Sequence, residues 1–270
     1  MKAQEFITEI HRLSGARFDY EFDKIPNNAK WQPLPGGSGL KWTVAPGKHT
    51  YCIWIAEPTA GKEFVPPKKQ QYEFADEYAK RVKQLQQKWD RGLNVVGQLE
   101  LKPNNQYPFL KNAYQVHIIY VDPKARGQGV AKSLYGLALY TLGLTLIAGD
   151  SQTPGGRKNW ASLSQIPGVE VKGIVPIDDW YLGAHQLNQR GLARTPAELR
   201  RSAKHADKII DTIMQLGGQY LGVSRYDEHC FAFDVEPGNG ELAPVVKTEL
   251  TKIYVNNART TTDLFARWVG

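Results

Sequence analysis

The chain has 270 residues, 41% of them hydrophobic and 23% charged, with a formal net charge of +7. This is ordinary globular composition, long enough for a substantial core, and it excludes a disulfide scaffold or a low-complexity chain. No run of about 18 apolar residues occurs, so nothing is expected to span a membrane, and the opening MKAQEFITEIHRLSG lacks the continuous apolar region of a signal peptide.

The only cysteines, Cys52 and Cys230, argue for a reducing cytoplasm, and without CxxC spacing no metal site is expected. The positive charge admits an anionic partner, which nucleic acid or the phosphates of a coenzyme would satisfy equally.

In chain order, residues 4–13 (QEFITEIHRL) have helical apolar spacing, and residues 18–47 are rich in Pro, Gly and Asn, with a short strand expected at 40–44. YCIWIAE at 51–57 is an apolar run short enough for a buried strand, ended by Pro58. Residues 70–90 form a charged helix whose apolar stripe is Tyr72, Phe74, Ala75, Tyr78, Val82, Leu85 and Trp89. LNVVGQLEL at 93–101 is the next strand.

Residues 115–150 hold the most informative pattern. Val116, Ile118 and Tyr120 alternate with His117, Ile119 and Val121 in a β-branched run ended by Asp122-Pro123. Arg126-Gly127-Gln128-Gly129-Val130-Ala131 follows and opens a helix with Val130, Leu134, Leu137 and Ala138 on one side. Glycines at a helix entry let backbone amides approach a ligand, and the helix N-terminus adds partial positive charge, so this turn is a candidate anion site. A further strand is expected at 145–149, ending at Asp150-Ser151. Ligands gather at such strand ends in open α/β sheets, so both residues are candidates for chemistry.

Thr153-Pro154 is an N-cap followed by proline at the first helical position, and it predicts a helix over 155–165 and then a strand over 169–175. A polar connection with Trp180 and Tyr181 covers 177–194. Thr195-Pro196-Ala197-Glu198 is a capping box that starts a helix running to about Leu216, with Arg200, Arg201, Lys204 and Lys208 on one side and Gly217-Gly218 as its stop. HCFAFDV at 229–235 reads as a strand, Pro237–Gly240 as a turn, and 242–246 as another short strand.

On strand 115–121 the side chains of Gln115, His117, Ile119 and Val121 share one face. His117 is the candidate proton acceptor, because imidazole titrates near neutral pH whereas the amide of Gln115 cannot act as a base. Several competing motifs are missing: G-x-x-x-x-G-K-[ST], G-x-G-x-x-G and G-x-S-x-G do not occur, which argues against a P-loop NTPase, a nicotinamide Rossmann site and a serine hydrolase.

The strand, the V-D-P ending and R-G-Q-G-V-A at a helix entry together resemble the acetyl-CoA-binding motif of the GNAT N-acetyltransferases, Gln/Arg-x-x-Gly-x-Gly/Ala. The resemblance implies an α/β (α+β) fold, a mixed, mostly antiparallel twisted sheet flanked by helices. A core would cover 41–176 with an inserted helix at 67–90, between an N-terminal extension over 1–40 and a C-terminal one over 177–270. It implies acetyl-CoA as the cofactor, with the backbone amides of Gly127, Gln128, Gly129, Val130 and Ala131 facing the pyrophosphate and Arg126 adding a phosphate contact. Main-chain groups of Ile119 and Val121 would pair with the pantetheine arm.

On the acceptor side the resemblance implies Thr153, Arg157 and Trp160, with Gln115 as a further substrate contact. Asp150, at the strand end with Ser151, is placed to bind the cationic amine or accept its proton through water. Ser164 stands where the family often has the tyrosine that protonates the leaving thiolate, and Tyr114 and Tyr120 are possible substitutes for it. The segment GDSQTPGGRKNWASL resembles GNAT-like proteins encoded by bacteriophages. The expected activity is direct acetyl transfer to an amine. The alternatives are a phage-type nucleic-acid base modification, for which the basic helix at 200–208 speaks, and a GNAT-fold binding protein that has lost its acid and base.

Overall fold

The computed structural model describes residues 25–26, 28–46, 50–60, 62–66, 69, 74–90, 92–149, 154–178, 207–236, 240–253 and 263–269. The chain divides into two compact units, Met1–Glu100 with Ile118–Leu134, and Leu101–His117 with Tyr135–Gly270. Among the described residues no helix is long and apolar enough to cross a membrane. The expected helices at 4–13 and the start of the one at 195–216 lie outside the described residues.

In the first unit the strand order follows the chain: β1 (Gln32–Pro33), β2 (Lys41–Pro46), β3 (Tyr51–Pro58), β4 (Leu93–Pro103) and β5 (Ala113–Val121). β2 and β3 pair antiparallel, with Trp42 opposite Ile55 and Val44 opposite Ile53. The apolar run of β3 is buried throughout its middle, and Cys52, Trp54 and Ala56 pack with Val95 of β4 into one core cluster. Helix α1 (Ala75–Asp90) stands between β3 and β4 as expected, and its Leu85 packs against that cluster. Phe74 and Ala75 of the expected apolar stripe are exposed, Phe74 lying just before the helix. Glu77 accepts a hydrogen bond from the Phe74 amide at 3.1 Å, satisfying one of the donors that every helix start leaves without an intrahelical partner. Thr59 Oγ1 donates to the Trp89 carbonyl at 3.0 Å and ties the end of the helix to the chain after β3.

Gly97 on β4 sets how closely the next helix packs. A Cβ at this position would lie 2.5 Å from Val130 Cγ1 and 3.2 Å from Leu134 Cδ1, so only a residue without a side chain lets helix α2 (Val130–Gly136) approach the strand this closely. The helix runs on through a π-helical turn, Leu137–Thr141, in which the Leu142 amide reaches the Leu137 carbonyl at 3.0 Å. This segment is the crossover that a parallel strand pair needs.

The second unit is a mixed sheet in the order β5, β6 (Thr145–Ile147), β10 (Asp263–Trp268), β7 (Val169–Asp178), β9 (Glu228–Asp234), β8 (Gln219–Val223). β5 and β6 are parallel, with Gln115 opposite Ile147, and the other registered pairs are antiparallel. Helices α3 (Pro154–Leu163), α4 (Asp207–Gln215) and α5 (Pro244–Ile253) complete the unit. Ile210 and Ile213 of α4 and Val246 and Leu250 of α5 bury against Ile177, Phe231 and Phe233. A second cluster joins Tyr107, Ile147, Ile174, Cys230, Ala232 and Phe265.

The expected strand at 242–246 is a correction. Leu242 makes only an isolated bridge to Val235, and α5 starts at Pro244. Proline suits the first helical turn, and Val246 and Leu250, four residues apart, reach the core on one helix face. Three strands do not appear in the sequence reading at all, the two-residue β1 among them. β8 follows the Gly217-Gly218 stop, and β10 lies between β6 and β7, far from both in sequence.

Tyr107, fully buried, donates its hydroxyl to Asp263 and accepts a hydrogen bond from Gln106 Nε2 at 3.0 Å. Burial, and then the neighbouring Asp263 carboxylate, push the phenol well above its ordinary range. The folded state therefore favours the protonated phenol. The resulting stability is complete below the unfolded pKa of about 10 and is lost as pH rises past it.

Replacing Tyr107 by Phe is expected to lower stability by about 1–2 kcal/mol at neutral pH. The variant should also lose less stability than the wild type between neutral pH and about pH 11, as read by urea midpoints at the two pH values. Gly97→Val is expected to destabilise the chain by about 1–3 kcal/mol, through the clash with Val130 and Leu134, in the same urea titration. Gly97→Ala should fall between the valine variant and the wild type.

Candidate functional site

After β5 the chain turns through a single 3-10 turn, Pro123–Ala125. Asp122 organises it: its amide donates to the Val96 carbonyl at 2.9 Å, its carboxylate accepts from the Lys124 amide at 2.8 Å, and its carbonyl accepts from the Ala125 amide at 2.8 Å. Gln128 Nε2 donates to the Lys124 carbonyl at 3.0 Å and closes the loop on itself. Gly127 and Gly129 have φ of 79° and 80°, in the left-handed region that glycine enters without strain.

A Cβ built at either glycine meets nothing within 4 Å, so the outer side of the turn is open. Val130 is buried against β4, whereas Arg126, Gly127, Gln128 and Gly129 are exposed and Ala131 is half-buried. The Gly129 carbonyl already accepts from the Ser133 amide at 2.9 Å, which makes Gly129 the helix cap. The next amides, of Val130, Ala131 and Lys132, have no acceptor inside the helix. A run of such donors, with the helix dipole behind it, suits an anionic group. Arg126 folds back instead, its Nε donating to the Val121 carbonyl at 3.3 Å.

Strand β5 carries Gln115, His117, Ile119 and Val121 on one side by the period-2 rule. His117 is exposed, and Lys102 of β4 contacts its Nε2 at 2.9 Å. A lysine ammonium has three donors and no acceptor, so with Lys102 charged this ring nitrogen is placed to accept. Ile119 and Val121 are half-buried at the end of the strand that leads into the turn.

Sequence reasoning missed Glu100. It is 5% exposed, and the pleat puts it on the same face of β4 as Gln98 and Lys102. An acidic residue in the middle of LNVVGQLEL, alternating with buried leucines, was the available signal. Buried carboxylates are rare enough that one in a candidate site merits weight.

On the far side of β6, Gly149 comes close to β5: a Cβ there would be 2.7 Å from the Val116 carbonyl. Asp150, Ser151 and Thr153 follow it outside the described residues. Arg157 lies in helix α3, but its side chain is likewise outside the described residues, as are Arg200, Arg201 and Lys204. Trp160 is 2% exposed and packs against Tyr135, with ring centroids 6.0 Å apart, so its indole is a core group. Ser164 donates its hydroxyl to the Ala161 carbonyl at 2.7 Å, which commits its one proton to the end of α3. Tyr114 and Tyr120 are half-buried on β5.

The segment 51–142 matches the family model described as Acetyltransferase (GNAT) family. This match takes in β3, α1, β4, β5, the Gly127–Gly129 turn and α2, and so includes the strand, turn and helix entry that carry the motif resemblance. No curated protein and no solved structure matches the chain. The mixed, mostly antiparallel sheet flanked by helices agrees with that family's fold. Over residues 51–142 this chain is similar to the GNAT acetyltransferase family, and that similarity points to acyl transfer from acetyl-CoA to an acceptor.

Proposed function

We propose that the protein is an acetyl-CoA-dependent N-acetyltransferase that moves the acetyl group directly from the thioester to an amine. The observation that carries this is the turn at Gly127 and Gly129. Both glycines hold left-handed backbone, both face open space, and the helix behind them presents amides without intrahelical acceptors. That arrangement, which lies within the matched segment, suits a pyrophosphate held by main-chain donors from Gly127, Gly129, Val130 and Ala131, while the Gln128 amide donates to the Ala125 carbonyl at 3.3 Å.

Direct transfer needs a proton acceptor for the amine, a donor for the departing thiolate and polarisation of the thioester carbonyl. His117 on β5 and the buried carboxylate of Glu100 on β4 are the groups suited to accept the proton. Asp150 and Ser151, directly after Gly149, would hold the amine, with Gln115, Thr153 and Arg157 as further acceptor contacts. Tyr114 and Tyr120 are better suited than Ser164 to protonate the thiolate, since a phenol is the stronger acid and the Ser164 proton is committed to Ala161.

Titration calorimetry of the purified protein with acetyl-CoA tests this. Binding in the micromolar range is expected, weakening as salt rises because the ligand's phosphates are screened. Gly129→Trp should abolish it by filling the open side of the turn, and Gly129→Ala should weaken it mainly through the positive φ, a strain of about 1–2 kcal/mol. No binding heat with a folded wild type would sink the proposal.

A further inference from the structure

We propose that Asp122 is a positioning residue for the donor site: its side chain fixes the glycine turn so that amides, and not carbonyls, face the phosphates. This deepens the acetyl-CoA reading and rests on it. All the groups concerned lie in the first compact unit. A turn holds an anion only if its donors point outward and its acceptors do not, because an exposed carbonyl repels a phosphate just as an amide attracts it.

Around this turn the carbonyls are occupied from within. The Val121 carbonyl accepts from Arg126 Nε at 3.3 Å and that of Asp122 from the Ala125 amide at 2.8 Å. The Lys124 carbonyl accepts from Gln128 Nε2 at 3.0 Å, that of Ala125 from the Gln128 amide at 3.3 Å, and that of Gly129 from the Ser133 amide at 2.9 Å. Among the described residues none of these bonds uses the amide of Gly127 or Gly129. Asp122 is where the pattern starts. Its amide is anchored on the Val96 carbonyl of β4 at 2.9 Å, and its Oδ1 accepts from the Lys124 amide at 2.8 Å, so one residue ties the turn to the sheet. Without that acceptor the Lys124 amide is released, and Lys124 is the residue whose carbonyl receives the Gln128 side chain.

Charge and position make opposite demands here. A carboxylate beside a diphosphate site weakens anion binding by Coulomb repulsion alone. If charge were the only effect of Asp122, its removal would tighten the ligand. Positioning predicts the opposite sign for alanine, which loses the acceptor. It predicts no loss for asparagine, which keeps the acceptor and sheds the charge.

The test is calorimetry of acetyl-CoA binding to the full-length protein and its Asp122→Ala and Asp122→Asn variants, with inorganic diphosphate as competitor and a urea midpoint for each. Asp122→Ala should bind acetyl-CoA and diphosphate about fivefold more weakly, the affinity equivalent of a lost capping bond. Asp122→Asn should bind at least as tightly as the wild type. A merely structural role would shift the urea midpoint and leave both affinities unchanged in the folded variant. Should Asp122→Ala not fold, Gln128→Ala replaces it, and a loss of at least about twofold for both ligands is expected. Unchanged or tighter binding by the alanine variant would overturn the proposal. So would equal weakening in Asp122→Asn, or a loss for acetyl-CoA that diphosphate does not share. In each of these cases the cofactor reading stands. No binding heat with the folded wild type would overturn the cofactor reading itself, and this proposal with it.

Discussion

The close approach of helix α2 to strand β4 at Gly97 is the constraint on which the rest of the candidate site depends. A helix normally stands off a sheet by the thickness of two side-chain layers. Here one layer is missing at a single point, and Val130 and Leu134 fill the gap. Val130 is also the first residue of the helix, so the contact that docks the helix fixes where its N-terminus begins. The Gly127–Gly129 turn therefore inherits its position from a packing contact rather than from its own hydrogen bonds alone. A loop held only by solvent-exposed bonds would present its amides in many directions, and the gain from a preorganised anion site would be lost.

The second unit rests on a different device. β10 contributes Phe265 and Ala266 to the core between β6 and β7, and at its start Asp263 takes the hydroxyl of the buried Tyr107. The connection between β4 and β5 is thereby tied to the C-terminal strand, and Asn104 reinforces it by accepting from the Gln106 amide and donating to the Tyr107 carbonyl. Burial and the Glu228 charge push the Cys230 thiol up in the same cluster, so it behaves as an apolar core group. Buried polar groups of this kind cost stability unless they are matched, and here the matching partners come from segments far apart in the chain.

Much of the first unit was legible in the sequence because its signals are local. The apolar run YCIWIAE, the charged amphipathic helix after it and the strand ending at Asp122-Pro123 each announce themselves within a dozen residues. The glycine turn was legible for the same reason. Positive φ at Gly127 and Gly129 is something only glycine provides cheaply, so the residue types and the backbone conformation imply each other. The pair Lys102 and His117 was not legible, because nothing in a sequence relates a strand end to a position fifteen residues later across a turn of unknown register. Glu100 was visible but unremarked, since an alternating strand leaves open which face is buried.

The sequence by itself determined the local elements of the matched segment, the backbone of the glycine turn and the similarity of that segment to the GNAT acetyltransferase family. These follow from periodicity, proline and glycine punctuation and backbone sterics, all short-range properties. Only the tertiary structure decided that 244–253 is a helix rather than a strand, that residues 263–268 enter the sheet between β6 and β7, that Trp160 is a core group, and that Lys102 meets His117. Each of those depends on which faces are covered and which segments pair. Burial and register are properties of the assembled chain, and no local stretch carries them.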